Sequence, residues 1–315
     1  MTEKIRNQIA EMKKQTIGVE IEMNNITRQN AARVAATFFG TGRYEFTANR
    51  NGYFTWSAWD AQGREWKFSR DTSIHGPDEE RCELVTPILT YADIETLQEL
   101  CRQLRHAGVK SDATRGCGVH IHIGAKGHTP QTLRNLANIM ASHESLLADA
   151  LKLDRNRMER YCRTVDPTFL HQVNRKKPTT MARLADIWYT SQNEDYDRDY
   201  HYNDSRYHML NLHATFTKGT VEFRLFQFDA PNGTRKGGIH AGQLKSYIQL
   251  CLALSQMAKE VRTASPKPQQ NENPKYAMRT WLLRLGFIGE EFETARDILT
   301  RNLTGDAAFR HGRAA

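Results

Sequence analysis

Alternating polar and apolar residues predict several short strands that each have one polar face. In Thr16–Met23, aliphatic side chains alternate with Glu20 and Glu22. Successive side chains of a strand point to opposite faces, so both glutamates are expected on the same face. Two neighbouring carboxylates repel each other unless a positive charge lies between them, and a hard divalent cation prefers such oxygen ligands. The alternative is an edge strand whose polar face is merely solvated.

The same alternation recurs in three further segments with chemically similar polar residues. These segments are Cys82–Pro87 with Glu83, Val119–Gly124 with His120 and His122, and Val221–Phe226 with Glu222 and Arg224. An ordinary solvated sheet face would favour Thr, Lys, Ser and Gln. Glu, His and Arg instead bind metals and phosphates. Their recurrence in four segments favours a ligand-binding face over a solvated one.

The order of these motifs resembles that of a known enzyme family. The motifs are G-V-E-I-E-M, W-x-F-x-x-D-x-S-I (Trp66–Ile74), E-L-V-T-P, C-G-V-H-I-H-I-G and V-E-F-R. Together they resemble the amidoligases of the carboxylate-amine ligase superfamily, which also includes glutamine synthetase and glutamate-cysteine ligase. The resemblance covers residues 16 to 228, and the order of the motifs is more specific than any one of them.

The remaining pattern predicts helices between and after these strands. Helical spacing of apolar residues is found in Arg28–Phe39, Tyr91–His106, the region after Pro130, Thr180–Tyr189, Gly237–Arg262, Lys275–Leu285 and Glu290–Leu303. Two hairpins are predicted, one from Tyr53–Trp59 and Arg64–Ile74, the other from Tyr207–Phe216 and Thr220–Phe228. The polar run Asn193–Asp204 is interpreted as a lid or substrate loop, or as a mere insertion.

These elements predict an α+β fold, with a curved, mainly antiparallel sheet whose polar face lines a site and whose other face is covered by helices. The family resemblance implies a catalytic domain like that of glutamine synthetase. We expect this domain to span residues 1–263, and residues 264–315 to form a linker and a helical extension packed on it.

The composition restricts the class of protein to which the chain can belong. The 315 residues are 39% hydrophobic and 25% charged, as in soluble globular proteins. No apolar run is long enough for a membrane helix, and the N-terminus has no signal-like apolar stretch. Five scattered cysteines form neither a disulfide framework nor a zinc pattern, which favours the reducing cytoplasm.

The net charge of +8 raises the hypothesis of nucleic-acid binding. The basic residues are spread along the chain, however, and no nucleic-acid-binding motif accompanies them. A polyanionic substrate such as ATP is the preferred explanation. Oligomeric state is not readable from the sequence.

The resemblance implies a set of metal ligands for two Mg²⁺ or Mn²⁺ ions. Carried over motif by motif, these ligands are Glu20, Glu22, Glu83, His120 and Glu222. His122 and Arg224 would contact phosphate or an acyl-phosphate. Arg206 and Arg224 are the candidates for charge stabilisation, and structural salt bridges are the alternative for both.

Candidate cofactor-binding residues lie in two further segments. The resemblance puts Asp71 and Ser73 near substrate, and Lys67 is predicted on the same strand face. Arg115 lies in the glycine-bearing approach to the histidine strand, from which it could reach phosphate. A surface turn is the alternative for Arg115, and a merely solvated strand is the alternative for the other three.

The expected reaction is ATP-dependent joining of a carboxylate to an amine through an acyl-phosphate. Such chemistry depends on placement and charge, which fits the absence of a nucleophile motif or a P-loop. The resemblance makes an amino acid, peptide or protein carboxylate the expected substrate. Two alternatives remain: a metal-dependent kinase acting on a carboxylate or guanidino group, and a non-catalytic metal- or peptide-binding module.

Overall fold

A computed structural model of the chain describes residues 2–49, 52–232, 237–268 and 272–310. Its strands are β1 (Ile17–Met23), β2 (Tyr44–Ala48), β3 (Thr55–Trp59), β4 (Glu65–Ser69), β5 (Cys82–Val85), β6 (Val119–Gly124), β7 (Leu210–Asn211) and β8 (Thr220–Phe226). Its helices are α1 (Glu3–Lys13), α2 (Arg28–Phe38), α3 (Ile94–His106), α4 (Pro130–Leu151), α5 (Arg155–Arg160), α6 (Pro167–Lys176), α7 (Met181–Ser191), α8 (His213–Thr217), α9 (Ala241–Glu260), α10 (Pro274–Arg284) and α11 (Glu293–Thr300). The chain therefore combines helices with an antiparallel sheet, as predicted.

The chain divides into two units. The sheet unit comprises Thr16–Ile121 and Phe226–Lys245. The helical unit comprises Met1–Gln15, His122–Leu225 and Ser246–Ala315. The expectation of a catalytic domain that ends at residue 263 stays a prediction.

The sheet unit is built on strands in the order β2-β3-β4-β5-β1-β6, to which β6 contributes Val119–Ile121. The neighbouring pairs from β2 to β1 are antiparallel. In their register, Ile21 lies opposite Leu84, and Leu84 lies opposite Phe68. These three side chains are fully buried. Helix α2 packs against β2, β3 and β4 and against α3, so this side of the sheet forms the core of the unit.

The opposite face of the same strands is polar. Glu22, Glu83 and Ser69 follow one another across β1, β5 and β4 in the register. The Ser69 hydroxyl lies 3.0 Å from that of Thr55 on β3. The alternation along these strands therefore separates a packed face from a polar face, as the sequence pattern predicts.

The prediction of a strand over Arg64–Ile74 is wrong beyond Ser69, where β4 ends. Asp71 Oδ1 accepts hydrogen bonds from both the backbone N–H and the hydroxyl of Ser73, each at 2.7 Å. An Asp side chain that accepts from the N–H two residues later stabilises a turn. This turn replaces the hydrogen bonds that would continue the strand. Asp71 and Ser73 therefore do not continue the strand face that carries Lys67.

The helical unit is organised around α4, which packs against α6 and α11. Thr129 accepts a hydrogen bond from the Thr132 N–H and Pro130 is the first residue of the helix, so α4 begins where the sequence predicts. Helix α7 agrees with the prediction over Thr180–Tyr189. Helices α5 and α6 occupy a charged region in which the sequence pattern predicts no helix.

The prediction that Tyr207–Phe216 forms one strand of a hairpin is also wrong. Only Leu210–Asn211 pairs with β8, and the chain then turns into the short helix α8. His213 belongs to this helix, where its Nδ1 lies 2.7 Å from the Tyr189 hydroxyl. Because this contact holds His213 against α7, His213 does not share a strand face with Asn211.

All five cysteines are buried and unbridged. Among the described residues, no helix combines the length and hydropathy needed to cross a bilayer.

One buried acid of the helical unit titrates abnormally. Glu144 lies within α4 and is 4% exposed. Its two carboxylate oxygens accept from the Val165 N–H at 2.9 and 3.1 Å. Burial raises the pKa of this carboxyl to about 7, although the hydrogen bond opposes the shift. The folded protein therefore binds a proton here more tightly than the unfolded chain does.

We expect Glu144→Gln to remove a pH-dependent loss of stability. Because the pKa is raised on folding, stability present below the ordinary value of 4.5 is lost as the pH rises to about 7. A shift of this size corresponds to roughly 3 kcal/mol. The amide keeps an oxygen for the Val165 N–H, so the variant should gain roughly this amount over wild type between about pH 4.5 and pH 8. Urea unfolding at several pH values measures the difference.

The difference between the two proteins isolates this one group. Burial lowers the pKa of His208 to about 4, which makes stability fall as the pH falls, but this effect is common to both proteins and cancels. A stability difference that stays constant with pH would show that folding does not raise the pKa of Glu144.

Candidate functional site

The register of the sheet unit sets two glutamates directly against each other. Glu22 of β1 lies opposite Glu83 of β5 on the polar face. Like charges at directly opposed positions destabilise a sheet by up to about 1 kcal/mol. Glu20 lies two residues earlier on the same face of β1 and adds a third carboxylate. A cation among these carboxylates would offset the repulsion between them.

His120 brings an imidazole to the same carboxylates from β6, the next strand of the sheet. Its Nδ1 lies 3.0 Å from Glu20 Oε2, and its Nε2 lies 3.7 Å from Glu22 Oε1. The side chains of His120 and Glu22 are almost fully buried, whereas that of Glu20 is 15% exposed. The group therefore lies at the surface of the polar face but is held by buried residues.

These side chains form two overlapping groups, in each of which one ligand atom per residue lies within 4.8 Å of the others. One group consists of Glu20, Glu83 and His120, and the other of Glu22, Asp71 and Glu83. Glu83 belongs to both groups. A shared carboxylate between two sets of ligands is an arrangement that suits two neighbouring cations.

The donor set fits a hard divalent cation. Four carboxylates and one imidazole supply oxygen and nitrogen ligands without any thiolate, which favours Mg²⁺ or Mn²⁺. Mg²⁺ usually retains several waters and takes one or two carboxylates together with substrate phosphates. Glu20 and Glu83 are partly exposed, so solvent or substrate can approach the ligand atoms.

Hydrogen bonds fix the most buried of these carboxylates. The Gly118 N–H donates to Glu22 Oε2 at 2.6 Å, and the Ser111 hydroxyl donates to the Glu22 carbonyl at 2.6 Å. The neighbouring Cys82 is completely buried, and burial raises the pKa of its thiol far above the usual range. Cys82 is thus a core residue and is unsuited to be a nucleophile.

A second cluster of predicted site residues lies in the helical unit. Glu222 of β8 accepts from Arg224 Nη1 at 2.5 Å through Oε1 and from Asn211 Nδ2 at 2.7 Å through Oε2. His122 Nδ1 lies 2.9 Å from the Thr220 hydroxyl, and its Nε2 lies 3.9 Å from Glu222 Oε1. Arg224 therefore neutralises Glu222 directly.

Arg206 is held differently from Arg224. It is 8% exposed, donates to the His201 carbonyl at 3.0 Å, and lies over the rings of Tyr202 and Tyr207 at 5.5 and 5.7 Å. In the part of the chain that the structure describes, Arg206 forms no ion pair with a carboxylate. A buried guanidinium of this kind can accept an anion.

The predicted cofactor-binding residues do not behave alike. Asp71 joins the Glu22 and Glu83 group, although the sequence assigns it to cofactor rather than metal. Lys67 is half-exposed and lies 3.6 Å from Glu65. Arg115 lies 3.3 Å from Asp112 Oδ2 and donates to Asn24 at 3.4 Å. The roles of Lys67, Ser73 and Arg115 toward a nucleotide stay predictions.

Sequence reasoning missed the groups that hold the carboxylates in place. Gly118 and Ser111 support Glu22, and Asn211 supports Glu222. Asn211 could have been found, because it is a polar residue on a short segment that pairs with the Glu222 strand. Ser111 and the Gly118 N–H carry no signal in the sequence, because their roles depend on tertiary approach.

The family comparison agrees with the order of the motifs. Residues 13–255 match the family described as "Putative amidoligase enzyme". The match covers most of the chain, and the protein belongs to this family. The resemblance drawn from the motifs is therefore confirmed. A search of curated proteins finds no match.

Among solved structures, the chain is similar to a bifunctional glutathione synthetase from Pasteurella multocida. The sequence identity is 13% and the TM-score is 0.45. The alignment covers 96% of this chain and 49% of that one, so this chain spans about half the length of the synthetase. A TM-score this low carries no argument. The site is therefore interpreted from its own geometry and from the family.

We expect Glu83→Gln to stabilise the metal-free protein while weakening its affinity for a divalent cation. The substitution removes the repulsion from Glu22, which should raise the free energy of unfolding in a chelator by up to about 1 kcal/mol. It also removes a charge from both ligand groups, so Mn²⁺ affinity should fall about tenfold or more, as for the loss of roughly 1.4 kcal/mol of binding. Urea unfolding in a chelator and titration calorimetry with Mn²⁺ measure the two effects.

Glu79→Gln provides the matched control, because Glu79 is an exposed glutamate of the same unit that lies outside both ligand groups. It should change neither quantity. If Glu83→Gln lowers stability in the chelator and leaves Mn²⁺ binding unchanged, Glu83 is a structural residue and the metal-site interpretation is wrong.

Proposed function

We propose that this protein is an ATP-dependent carboxylate-amine ligase that forms an amide or peptide bond through an acyl-phosphate. One observation carries the proposal: Glu20, Glu22, Asp71, Glu83 and His120 converge on the polar face of one sheet. Membership of the amidoligase family supports the reaction class. The substrates we propose are an amine and the carboxylate of an amino acid, peptide or protein.

The carboxylate groups of the sheet unit are suited to hold the ions that accompany ATP. Glu20, Glu83 and His120 would hold one Mg²⁺ or Mn²⁺, and Glu22, Asp71 and Glu83 would hold another. When bound, these ions would neutralise negative charge on the phosphates of ATP. A metal role for Glu222 is also implied by the family resemblance and belongs to the same proposal.

The chain itself would contribute placement and fixed charge. Hydrogen bonds from Gly118 and Ser111 hold Glu22 in one orientation, so little reorganisation is needed when ATP binds. Arg206 is a buried cation that can stabilise an anionic group, and His122 and Arg224 are proposed to contact phosphate or the acyl-phosphate. No covalent nucleophile is required in this scheme, which suits the buried thiols.

We expect ATP to bind only with a divalent cation and only when the paired glutamates are intact. Removal of two carboxylates should weaken binding of a non-hydrolysable ATP analogue in excess Mg²⁺ at least about a hundredfold, or roughly 2.7 kcal/mol. Titration calorimetry with wild type and Glu20→Gln/Glu22→Gln measures this effect. Glu79→Gln should bind as wild type does.

Product analysis separates a ligase from a kinase. A ligase should accumulate ADP from ATP and a mixture of N-acetylated amino acids only when an amine acceptor is added. A carboxylate kinase should release ADP without one. Absence of ATP binding by the folded wild-type protein would contradict both functions and leave a metal- or peptide-binding module.

A further inference from the structure

One loop of the helical unit presents a surface that is both aromatic and acidic. This loop spans Glu194–Asp204, between α7 and β7. Three of its tyrosines are exposed, with exposed fractions of 70% for Tyr196, 48% for Tyr200 and 42% for Tyr202. Eight large hydrophobic side chains are exposed in the described part of the chain, and three of them fall between residues 196 and 202. Such clustering is typical of an interaction surface.

The loop carries a negative charge, unlike the chain as a whole. It contains five carboxylates, from Glu194, Asp195, Asp197, Asp199 and Asp204, against the single cation Arg198, while the full chain has a net charge of +8. Arg198 is already paired, with Asp195 at 2.5 Å and with Asp186 at 2.7 Å. In the described chain, Asp197 and Asp199 form no ion pair, so their charge is available to a partner.

The loop is held in one conformation from beneath. Asn203 is fully buried, and its side-chain amide donates to the carbonyls of Glu194 and Asp197 at 3.0 and 2.9 Å. The Tyr189 hydroxyl donates to the Arg198 carbonyl at 3.4 Å. The Asn203 bonds join the end of the loop to its beginning, and the Tyr189 bond ties the middle of the loop to α7. A partner would therefore bind a surface that is already ordered, which reduces the entropy cost of binding.

The exposed rings are arranged as a connected group. The rings of Tyr200 and Tyr202 lie 5.8 Å apart, and those of His201 and Tyr202 lie 4.6 Å apart. The guanidinium of Arg206, which is nearly buried, lies against the face of the Tyr202 ring. Tyrosine offers a large rigid contact area and an electron-rich face that attracts cations. Aromatic faces among carboxylates are complementary to lysine side chains and repel phosphates.

We propose that the loop Glu194–Asp204 is a docking surface for a cationic, lysine-bearing peptide or protein segment. The lysine stems would lie along the tyrosine rings, and their ammonium groups would approach Asp197 and Asp199. A nucleotide or nucleic acid is disfavoured, because the five carboxylates would oppose its phosphates. The proposal concerns binding alone and goes beyond the proposed function. If that function holds, the lysine amine of the docked segment is a candidate acceptor.

Fluorescence anisotropy with a labelled peptide of alternating lysine and glycine tests the proposal on the full-length protein. The lysine peptide should bind wild type, and a peptide with glutamate in place of lysine should not. Tyr200→Ala/Tyr202→Ala should weaken binding about fivefold or more, as expected for the loss of two exposed cation–π contacts. Asp197→Asn/Asp199→Asn should weaken binding by a similar factor and reduce its dependence on salt.

Conservative and distant variants serve as controls. Tyr200→Phe/Tyr202→Phe keeps both ring faces and should bind as wild type does. Phe46→Ala and Glu79→Gln change an exposed aromatic residue and an exposed carboxylate of the sheet unit, and they should have no effect. Equal binding by wild type and by both loop variants would overturn the proposal, as would binding of spermidine without binding of the peptide.

Calorimetry with the ATP analogue separates this proposal from the proposed function. Asp197→Asn/Asp199→Asn should bind the analogue as wild type does, because neither aspartate is among the predicted metal and nucleotide residues. Loss of nucleotide binding in this variant would identify the loop as part of the nucleotide site and overturn the peptide proposal. Peptide binding without ATP binding would support the docking surface and contradict the ligase.

Discussion

The candidate site depends on the packing of the opposite face of its sheet. Ile21, Leu84 and Phe68 are fully buried on the face that α2 covers, and each such side chain contributes about 1.5–3 kcal/mol on burial. A slip of one residue in register would move them to the polar face. The repulsion between Glu22 and Glu83, up to about 1 kcal/mol, is too small to drive such a slip. Hydrophobic packing thus holds the carboxylates together, in an arrangement that suits a cation.

The two clusters of predicted site residues differ in how their charge is balanced. In the sheet unit, ligand atoms of four carboxylates lie close together with a single histidine among them. In the helical unit, Glu222 is satisfied by Arg224 and Asn211, one on each oxygen. The first arrangement suits the binding of metal ions. The second suits the positioning of a guanidinium, because the pair is neutral and each partner fixes the other.

The strand alternation was sufficient to predict where most of the sheet-unit cluster would lie. Glu20, Glu22, Glu83 and His120 lie on central strands, where one face must be apolar, so the period of the sequence specifies their direction. Asp71 could not be placed in this way. Its side chain forms a turn with Ser73 that ends the strand, and only the tertiary path of that turn brings Asp71 to Glu22 and Glu83.

Residues after Asn211 show a second limit of the sequence pattern. The segment Tyr207–Phe216 has enough aromatic and alternating residues to predict a strand, yet only two residues pair. The contact between His213 and Tyr189 favours the helix α8 instead, and tertiary contacts of this kind override a propensity that amounts to about 1 kcal/mol. The support given to Glu22 by Gly118 and Ser111 is invisible in the sequence for the same reason.

Arg206 and Arg224 were predicted together, but the structure gives them different capacities for an anion. Arg224 already binds Glu222, and a second anion would compete with that carboxylate. Arg206 is nearly as buried, yet among the described residues only a carbonyl and two tyrosine rings offset its desolvation. A buried cation balanced by neutral groups gains more from an arriving anion than one balanced by a carboxylate does. Of the two arginines, Arg206 is therefore the better candidate for binding an anionic group of the substrate, and Arg224 is the better candidate for orienting Glu222.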